Sequence, residues 1–234
     1  MAAEQQSKLV VGYWDIRCLA EPIRFLLEYT GLPYEDRRYV QGHAPDYSRE
    51  HWFGVKNSLG LDFPNLPYLI DGDVKITQSN AILRHIARKA NPALLGKDLK
   101  EQAQIDMLID VLVDFRNESV DMFYCDPNEF AEKKARFLNR LPGSLKQFDA
   151  FLGDKKFLAG DEPTVPDFHF CEMLSEHVMM EPHCLQGFSH LQAYLARFRA
   201  LPAIEAYMKT DRFRNTPVNN KVAAWGANAT EASH

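Results

Sequence analysis

The chain has 234 residues, of which 46% are hydrophobic and 25% are charged, and its formal net charge is −5. This composition is typical of a folded globular protein and excludes a disordered chain. Since no cluster of Lys and Arg dominates, we do not expect a nucleic acid as the main partner. No apolar run reaches the length of a membrane span, and the first eight residues lack the apolar core of a signal peptide.

The cysteines indicate a reducing compartment. They are Cys18, Cys125, Cys171 and Cys184, and none forms a CxxC pair. Four cysteines in a chain of 234 residues do not make the disulfide framework of a small secreted domain. We therefore expect a cytoplasmic protein.

The first elements predicted are strand, helix and strand. Residues 8–14 indicate a buried strand, and residues 20–29 a helix with Pro22 in its first turn and Gly31 at its end. Residues 34–39 are mostly polar and extended in character, which favours an edge strand. Together these elements predict a βαβ unit.

A hairpin follows the irregular segment 40–61. Residues 68–70 and 74–77 predict strands, and Asp71-Gly72 between them is a strong two-residue turn signal because a type I′ turn needs positive φ. Ser79 or Asn80 is placed to cap the next helix, which Pro92 ends. The order of elements predicts a thioredoxin-like α/β domain with one mixed four-stranded sheet.

After residue 98 the pattern changes to long helical periods, which predict an all-α helical bundle. The helices are expected at 99–124, at 127–141 and 143–152 with a kink at Pro142 between these two segments, from a capping box at Thr164–Asp167, at 188–200 and at 203–209. The tail from residue 216 is expected to be irregular, with Val222 and Trp225 packed and the last residues frayed. We divide the chain into a domain at 1–90, a linker at 91–98 and a helical domain at 99–234.

Two features of residues 61–80 suggest a site for a small peptide. A cis bond before Pro67 would expose the backbone of Leu66 as an edge with which an extended peptide could pair. Gln78 and Ser79 would place polar groups at a helix N-terminus, which suits a carboxylate. The physics alone also allows an ordinary hairpin followed by an ordinary cap.

The same stretch, together with Gly12-Tyr13-Trp14-Asp15-Ile16-Arg17, resembles the cytosolic glutathione transferases of the mu class. The similarity runs from about residue 9 to residue 225. It implies a glutathione-binding thioredoxin-like domain, a helical domain, and conjugation of glutathione to hydrophobic electrophiles in detoxification. The co-substrate would be glutathione, and no metal or other cofactor would be needed.

The resemblance makes Tyr13 the catalytic candidate. In the family, the matching tyrosine donates a hydrogen bond to the glutathione sulfur. A thiol has a pKa of about 8.5, and a donor that stabilises the thiolate lowers this pKa and exposes a reactive nucleophile. The alternative is a core tyrosine whose hydroxyl bonds to the backbone.

The resemblance also implies a set of glutathione-binding residues. The backbone of Leu66 would pair with the cysteinyl unit, and Gln78 and Ser79 would take the γ-glutamyl carboxylate. Trp52 and Lys56, with Arg49, would meet the glycyl end, although Arg49 and Lys56 could equally be solvated surface charges. The full set is Tyr13, Trp14, Arg49, Trp52, Lys56, Asn65, Leu66, Gln78 and Ser79, with Asp114 reaching the γ-glutamyl amine bound by a neighbouring subunit.

Phe63 matches the aromatic residue that mu-class subunits insert into a partner's helical domain, which implies a homodimer. The alternative for Phe63 is packing within its own domain.

The electrophile pocket would include Leu19 and either Tyr124 or Cys125. Alignment from Asp114 selects Tyr124 and alignment from Pro127 selects Cys125. Cys18 stands where the family motif has Gly, and it is either an oxidation-prone thiol or a small buried side chain.

The sequence supports other functions less well. His177, His183 and Cys184 lie close in the sequence, but their spacing fits no standard metal motif. One rival hypothesis is a non-catalytic carrier of hydrophobic ligands in the interdomain cleft. The other is a structural or regulatory module that has lost the site.

Overall fold

The computed structural model describes residues 8–227. Its strands are β1 Leu9–Trp14, β2 Tyr34–Tyr39, β3 Tyr68–Asp71 and β4 Val74–Thr77. Its helices are α1 Glu21–Thr30, α2 Glu50–Phe53, α3 Ser79–Ala90, α4 Leu99–Phe123, α5 Phe130–Leu152, α6 Val165–Met180, α7 Ser189–Arg199 and α8 Pro202–Met208. We call β1 to α3 the sheet domain and α4 to α8 the helical domain.

The strands form one mixed sheet in the order β2-β1-β3-β4. β1 pairs with β2 in parallel, while β1 and β3, and β3 and β4, pair in antiparallel. The parallel pair needs a crossover, which α1 supplies, and the antiparallel pair β3–β4 needs only the tight turn at Gly72. The predicted fold class, a mixed four-stranded sheet followed by a helical domain, is confirmed.

One face of α1 is buried against the sheet. Ile23, Leu26 and Leu27 are fully buried and pack with Leu9 and Val11 of β1. The helix ends at Gly31, which adopts the left-handed conformation at φ 69°. Apolar burial thus fixes the crossover helix against the strand that carries Tyr13.

Close packing on the other side of β1 requires Gly12. A Cβ atom at this position would lie 2.1 Å from the ring of Tyr68, so no other residue allows the ring to cover the strand here. The Tyr68 hydroxyl hydrogen-bonds that of Tyr39 at 2.8 Å, and its ring stacks on Trp52 with centroids 5.9 Å apart. This aromatic cluster joins the sheet to the loop that carries α2.

In the helical domain, α6 is the central element. Almost all of its residues are buried, and it packs against α1, α4 and α7. The predicted capping box opens the helix, since the Thr164 N–H donates to the Asp167 carboxylate at 2.8 Å. The other Asp167 oxygen accepts the buried N–H of Leu158 at 2.9 Å. One carboxylate therefore holds both the helix start and the preceding loop.

The two domains are joined by buried polar contacts. Arg17, in the loop after β1, makes a two-pronged ion pair with Glu172 of α6 at 2.9 and 2.6 Å. The Tyr207 hydroxyl of α8 donates to Glu21 of α1 at 3.0 Å. These contacts fix the loop after Tyr13 relative to the helical domain.

Several predicted boundaries were wrong. Residues 40–61 are not wholly irregular, because α2 forms within them. Helix α5 begins at Phe130 and not at residue 127, since the Asp126 side chain and carbonyl accept the N–H groups of Asn128 and Glu129 and hold a turn there. Pro142 lies inside one continuous helix and does not divide it into two segments.

The tail also differs from its prediction. Val222 is 52% exposed, whereas Val218 is fully buried. The N–H groups of Val218 and Asn219 both donate to the Gly226 carbonyl at 2.9 Å, so the tail folds back and turns Val218 inward. Trp225 does pack, with its ring stacked 4.7 Å from Phe123. The predicted frayed end, residues 228–234, lies outside the described residues, as do residues 1–7.

Asp167→Ala should destabilise the fold by about 2 kcal/mol or more, because it removes a helix cap and leaves the Leu158 N–H buried without a partner. Urea unfolding followed by circular dichroism measures this change. Asp161→Ala, at an exposed position six residues earlier, is the matched control and should change stability by less than about 0.5 kcal/mol. Equal effects of the two substitutions would show that the capping box does not stabilise α6.

Candidate functional site

Tyr13 lies near the end of β1 and is 5% exposed. It belongs to a small buried cluster that is separate from the main core. The members are Tyr13, Ile16, Cys18 and Ala20, with Trp14, Leu19 and Leu66 packed against them. The catalytic candidate is therefore held by apolar packing beside two predicted binding residues and one predicted pocket residue.

The surroundings of Tyr13 keep its hydroxyl protonated. Burial is the largest influence, and it raises the pKa of Tyr13 well above the ordinary value of 10.0, with further increases from Cys18 and Tyr124. The positive charge of Arg116 lowers the pKa of Tyr13, but by less than the other groups raise it. Because a protonated phenol is a hydrogen-bond donor, Tyr13 can stabilise an anion without losing its own proton.

Leu66 and Asn65 precede β3. The Leu66–Pro67 bond is cis, as the sequence suggested. The Leu66 N–H donates to the Asn65 side-chain oxygen at 2.9 Å, so a peptide that pairs with this N–H would displace the Asn65 amide. Leu66 also packs against both the Tyr13 cluster and the aromatic cluster that contains Trp52. It therefore links the two groups of predicted binding residues.

Gln78 and Ser79 lie at the start of α3. Neither Ser79 nor Asn80 is the cap, which corrects our expectation, because Gln78 occupies the N-cap position and Ser79 is the first helical residue. No side chain caps this end, and Gln78 adopts φ 74°, a left-handed conformation that is costly for a residue with a side chain. The exposed N–H groups of a helix start suit an anion.

The predicted residues of the α2 region differ in exposure. Trp52 is 3% exposed and packs edge-on against Tyr39 at 5.2 Å. Arg49 and Lys56 place their cationic groups 5.0 and 5.3 Å from the ring of Phe53. Trp52 thus anchors the segment, and the two cations lie on one aromatic ring near the surface.

Asp114 and Phe63 lie away from the Tyr13 cluster. Phe63 is 81% exposed in the loop before β3. Asp114 borders a largely apolar groove of about 310 Å³ between α4 and α5. The groove is lined by Met107, Leu108, Val111, Phe115, Phe148 and Phe151, among others.

Tyr124, predicted for the electrophile pocket, is 38% exposed, and its charge affects the pKa of Tyr13. Tyr124 ends α4, and its hydroxyl accepts the N–H of Asn220 from the tail at 3.1 Å. Burial, followed by the Cys18 thiol, raises the pKa of Tyr124 to about 12. Cys125 lies one residue beyond, with its N–H bonded to the Met122 carbonyl at 3.5 Å. Leu19 packs against the Tyr13 cluster.

Sequence reasoning missed three polar side chains next to this region: Arg116, Glu176 and His169. The Arg116 guanidinium donates to the Cys18 sulfur at 3.4 Å. Helical spacing could have found Arg116, because Leu112 and Ser119, four residues before and three after it, are buried. His169, Glu172 and Glu176 were also visible as polar residues at intervals of three and four on an apolar helix.

The residues considered for a metal do not converge. His177 is buried, bonds the Ser119 hydroxyl at 2.8 Å and packs between Phe115 and Phe137. His183 is exposed. Among residues 8–227, no three His, Cys, Asp or Glu side chains are arranged to hold a metal ion. No helix in that range combines the length and apolar character that a membrane crossing requires.

Comparison with known proteins decides the family. Residues 9–88 match the glutathione S-transferase N-terminal domain, and residues 113–211 match the glutathione S-transferase C-terminal domain. The chain belongs to the glutathione S-transferase family.

The relatives place this transferase beside the mu class. It is 48% identical over 221 residues to glutathione S-transferase Mu 3 of Macaca fuscata fuscata, covering 94% of this chain and 96% of that protein. It is 49% identical over 218 residues to glutathione S-transferase Mu 4 of Mus musculus, covering 93% and 98%. The predicted mu-class resemblance is confirmed, and so is the prediction of an enzyme.

Solved structures support the same family assignment. The crystal structure of the glutathione S-transferase Blo t 8 matches with a TM-score of 0.84 and 36% identity over 93% of this chain and 99% of that one. A pi-class glutathione S-transferase of Onchocerca volvulus matches with a TM-score of 0.80 and 30% identity over 92% and 99%. Glutathione conjugation is therefore the activity of this transferase, and nothing in these relatives favours a non-catalytic carrier.

Glu176→Gln should stabilise the transferase in a pH-dependent way. Burial, with Glu172 beside it, raises the pKa of Glu176 from 4.5 to about 8. Between these values the folded chain binds a proton that the unfolded chain has lost, so the unfolding free energy falls as pH rises, by up to about 1.4 kcal/mol per pH unit. The advantage of the Gln variant should therefore grow from pH 5 to pH 8 and level off above it.

Unfolding in urea at several pH values tests this. Glu132→Gln, at a side chain that is 76% exposed, is the control and should show a difference from the wild type that does not grow with pH. If the unfolding free energy of Glu176→Gln also differs from that of the wild type by the same amount at every pH, Glu176 ionises normally in the fold.

Proposed function

We propose that Tyr13 donates a hydrogen bond to the sulfur of glutathione and stabilises its thiolate in the conjugation reaction. The observation that supports this most is that Tyr13 is buried at the end of β1 with a raised pKa, so that it remains a donor. A hydrogen bond to the charged form lowers the thiol pKa, and lowering this pKa by one corresponds to about 1.4 kcal/mol. The thiolate then attacks an electrophilic carbon held nearby.

The tripeptide would extend from Tyr13 along the edge before β3. Its cysteinyl unit pairs with the backbone of Leu66, and its γ-glutamyl carboxylate binds at Gln78 and Ser79. Support comes from the position of Leu66 between the two side-chain clusters and from the uncapped start of α3. The displaced Asn65 amide is then free to bind the peptide.

The glycyl end would lie toward α2. Lys56 and Arg49 bind its carboxylate, and Trp52 and Trp14 form the wall beside it. The buried side chain of Trp52 anchors the α2 segment that carries both cations. Because this segment is already ordered, less conformational entropy would be lost when glutathione binds. Glutathione is the co-substrate, and the proposed step needs only glutathione and the side chains of the site.

The electrophile would bind next to the sulfur, between Leu19 and Tyr124. The tail supports this wall, since Asn220 holds the Tyr124 hydroxyl. Hydrophobic electrophiles with a carbon open to a thiolate fit such a pocket, and their conjugation would serve detoxification.

We also propose a homodimer in which Phe63 of each subunit inserts into the apolar groove between α4 and α5 of the other. A phenylalanine that is 81% exposed is a liability in a monomer, and the groove of about 310 Å³ is lined by apolar side chains that would receive it. Asp114 borders the same groove and would thereby approach the γ-glutamyl amine held by the partner.

The division of the chain into domains at 1–90 and 99–234, with a linker at 91–98, stays a prediction. The short 3₁₀ turn Pro92–Leu95 lies within that linker. We also propose a cytoplasmic location, which is supported by the four cysteines, all of which are free thiols.

Tyr13→Phe should lower kcat/KM for a chloro-dinitro aromatic by about 10- to 100-fold near neutral pH and raise the pKa of the bound thiol by about 1–2, since the donor is lost. Rates across pH and the ultraviolet absorbance of the thiolate measure these effects. Tyr29→Phe, at a partly buried tyrosine of α1, is the control. If Tyr13→Phe matches wild type in both readouts, Tyr13 is not the donor.

Phe63→Ala should weaken the dimer by about 30-fold or more, because it removes an apolar anchor at the interface. Sedimentation equilibrium measures the shift toward the 26.8 kDa monomer. Leu99→Ala is the matched control, at a residue that is 84% exposed. A wild type that sediments only as a monomer would rule out the dimer.

A further inference from the structure

The hydroxyl of Tyr13 differs from those of the other buried tyrosines in what it contacts. Each of the others bonds a protein oxygen that lies 2.8–3.0 Å away. These are Tyr39, Tyr68, Tyr194 and Tyr207. Tyr13 is 5% exposed, and within residues 8–227 its hydroxyl has no such oxygen partner. Since a buried hydroxyl is normally hydrogen-bonded, this one is open to an atom of a ligand.

A thiol, that of Cys18, adjoins this hydroxyl. Both residues belong to the same buried cluster. After burial, the charge of Cys18 and a hydrogen bond with its side chain are the next causes that raise the pKa of Tyr13. A glutathione sulfur held on the Tyr13 hydroxyl would therefore lie beside a second sulfur.

The backbone at Cys18 is also unusual. Its φ is 40°, in the left-handed region that favours glycine, and Gly stands at this position in the family motif. A cysteine in this conformation carries a strain that a glycine would not. A thiol placed here in spite of that strain suggests a role for the sulfur beyond packing.

The surroundings of Cys18 suit an exchange between a thiol and a disulfide. The Arg116 guanidinium donates to its sulfur at 3.4 Å, and a cationic donor stabilises the sulfur anion that enters or leaves in such an exchange. Cys18 is only 7% exposed, so a disulfide free in solution would reach it poorly. A disulfide seated in the glutathione site would bring its sulfur to Tyr13, and so to Cys18.

We propose that Cys18 is a modification site for glutathione disulfide, and that a mixed disulfide between Cys18 and one glutathione unit switches conjugation off. One half of glutathione disulfide would bind in the glutathione site, with its sulfur near the Tyr13 hydroxyl. This inference rests on the proposed role of Tyr13 in holding the glutathione sulfur.

The exchange conserves atoms and electrons. The Cys18 thiol releases its proton to water, and the thiolate attacks the sulfur of the seated half. A bond forms between these two sulfurs as the S–S bond of glutathione disulfide breaks. The other half leaves as a thiolate and takes up a proton, so Cys18 is oxidised and the leaving half is reduced.

The mixed disulfide would stop conjugation because the sulfur at Tyr13 is no longer a thiolate. An excess of free glutathione reverses the exchange and releases glutathione disulfide. The rate of conjugation would thus follow the ratio of reduced to oxidised glutathione, in addition to the concentration of the co-substrate.

The test maps the modified cysteine in the native protein. Wild type is incubated with glutathione disulfide, the excess is removed, and mass spectrometry of peptides locates the glutathionyl groups. The conjugation rate is compared with that of untreated protein. Cys125 and Cys184 are less buried than Cys18 and serve as internal controls for unselective reaction. The variants are Cys18→Gly, which introduces the residue of the family motif, and Cys125→Ser as its control.

We expect a glutathionyl group on Cys18 and a loss of about tenfold or more in rate when labelling nears completion, which dithiothreitol reverses. S-methylglutathione can occupy the site but cannot exchange, and at ten times its Kd it should slow the labelling of Cys18 by about tenfold. Treated Cys18→Gly should keep the rate of untreated Cys18→Gly, and Cys125→Ser should be inhibited as the wild type is.

Labelling of Cys125 or Cys184 that leaves Cys18 a free thiol would overturn the proposal. So would labelling of Cys18 that S-methylglutathione does not slow, or that leaves the rate unchanged. Mapping, protection and rate are all measured on the wild type, so the test does not depend on whether Cys18→Gly folds.

Failure of the proposed function is distinguishable from failure of this inference. In the first case, Tyr13→Phe leaves the pKa of the bound thiol and the conjugation rate unchanged. In the second case, Tyr13→Phe has its expected effects while glutathione disulfide leaves Cys18 unmodified.

Discussion

The ion pair between Arg17 and Glu172 is the contact on which the site depends. It joins two residues 155 positions apart, and both are almost fully buried. Since breaking such a pair leaves one charge buried without a partner, the loop after β1 has little freedom to move from α6. That loop carries Cys18 and Leu19 and follows directly from Tyr13. The relative placement of β1, Leu19 and α6 therefore depends strongly on this interdomain contact.

Near the Arg17–Glu172 ion pair, desolvation affects the ionisation of two acidic groups in different ways. It keeps the hydroxyl of Tyr13 protonated and able to donate, and in Glu176 it removes a negative charge that would otherwise accompany Arg116. Arginine keeps its proton under the same conditions. The same low-dielectric region therefore contains neutral acids and a persistent cation.

Local signals in the sequence predicted most of the sheet domain. The Asp71-Gly72 turn and the Thr164–Asp167 capping box depend on neighbours within four residues, and both were identified correctly. The contact between Arg116 and Cys18 spans 98 residues and depends on how α4 meets the loop after β1, which no local pattern specifies. Val222 was misplaced for a different reason: the N–H groups of Val218 and Asn219 bond the Gly226 carbonyl, and this irregular turn, which has no periodic pattern, decides which side of the tail faces inward. The residue roles drawn from family resemblance stay predictions.

The tail has no regular secondary structure, yet it supports the wall proposed for the electrophile pocket. Asn220 holds the Tyr124 hydroxyl, and Lys221 bonds both the side chain and the carbonyl of Gln41 in the sheet domain. If the proposed pocket is correct, substrate range depends partly on this irregular segment. Its exposed positions, such as Val222, can vary at little cost to stability, and they offer a route to an altered substrate range that leaves the thiolate chemistry intact.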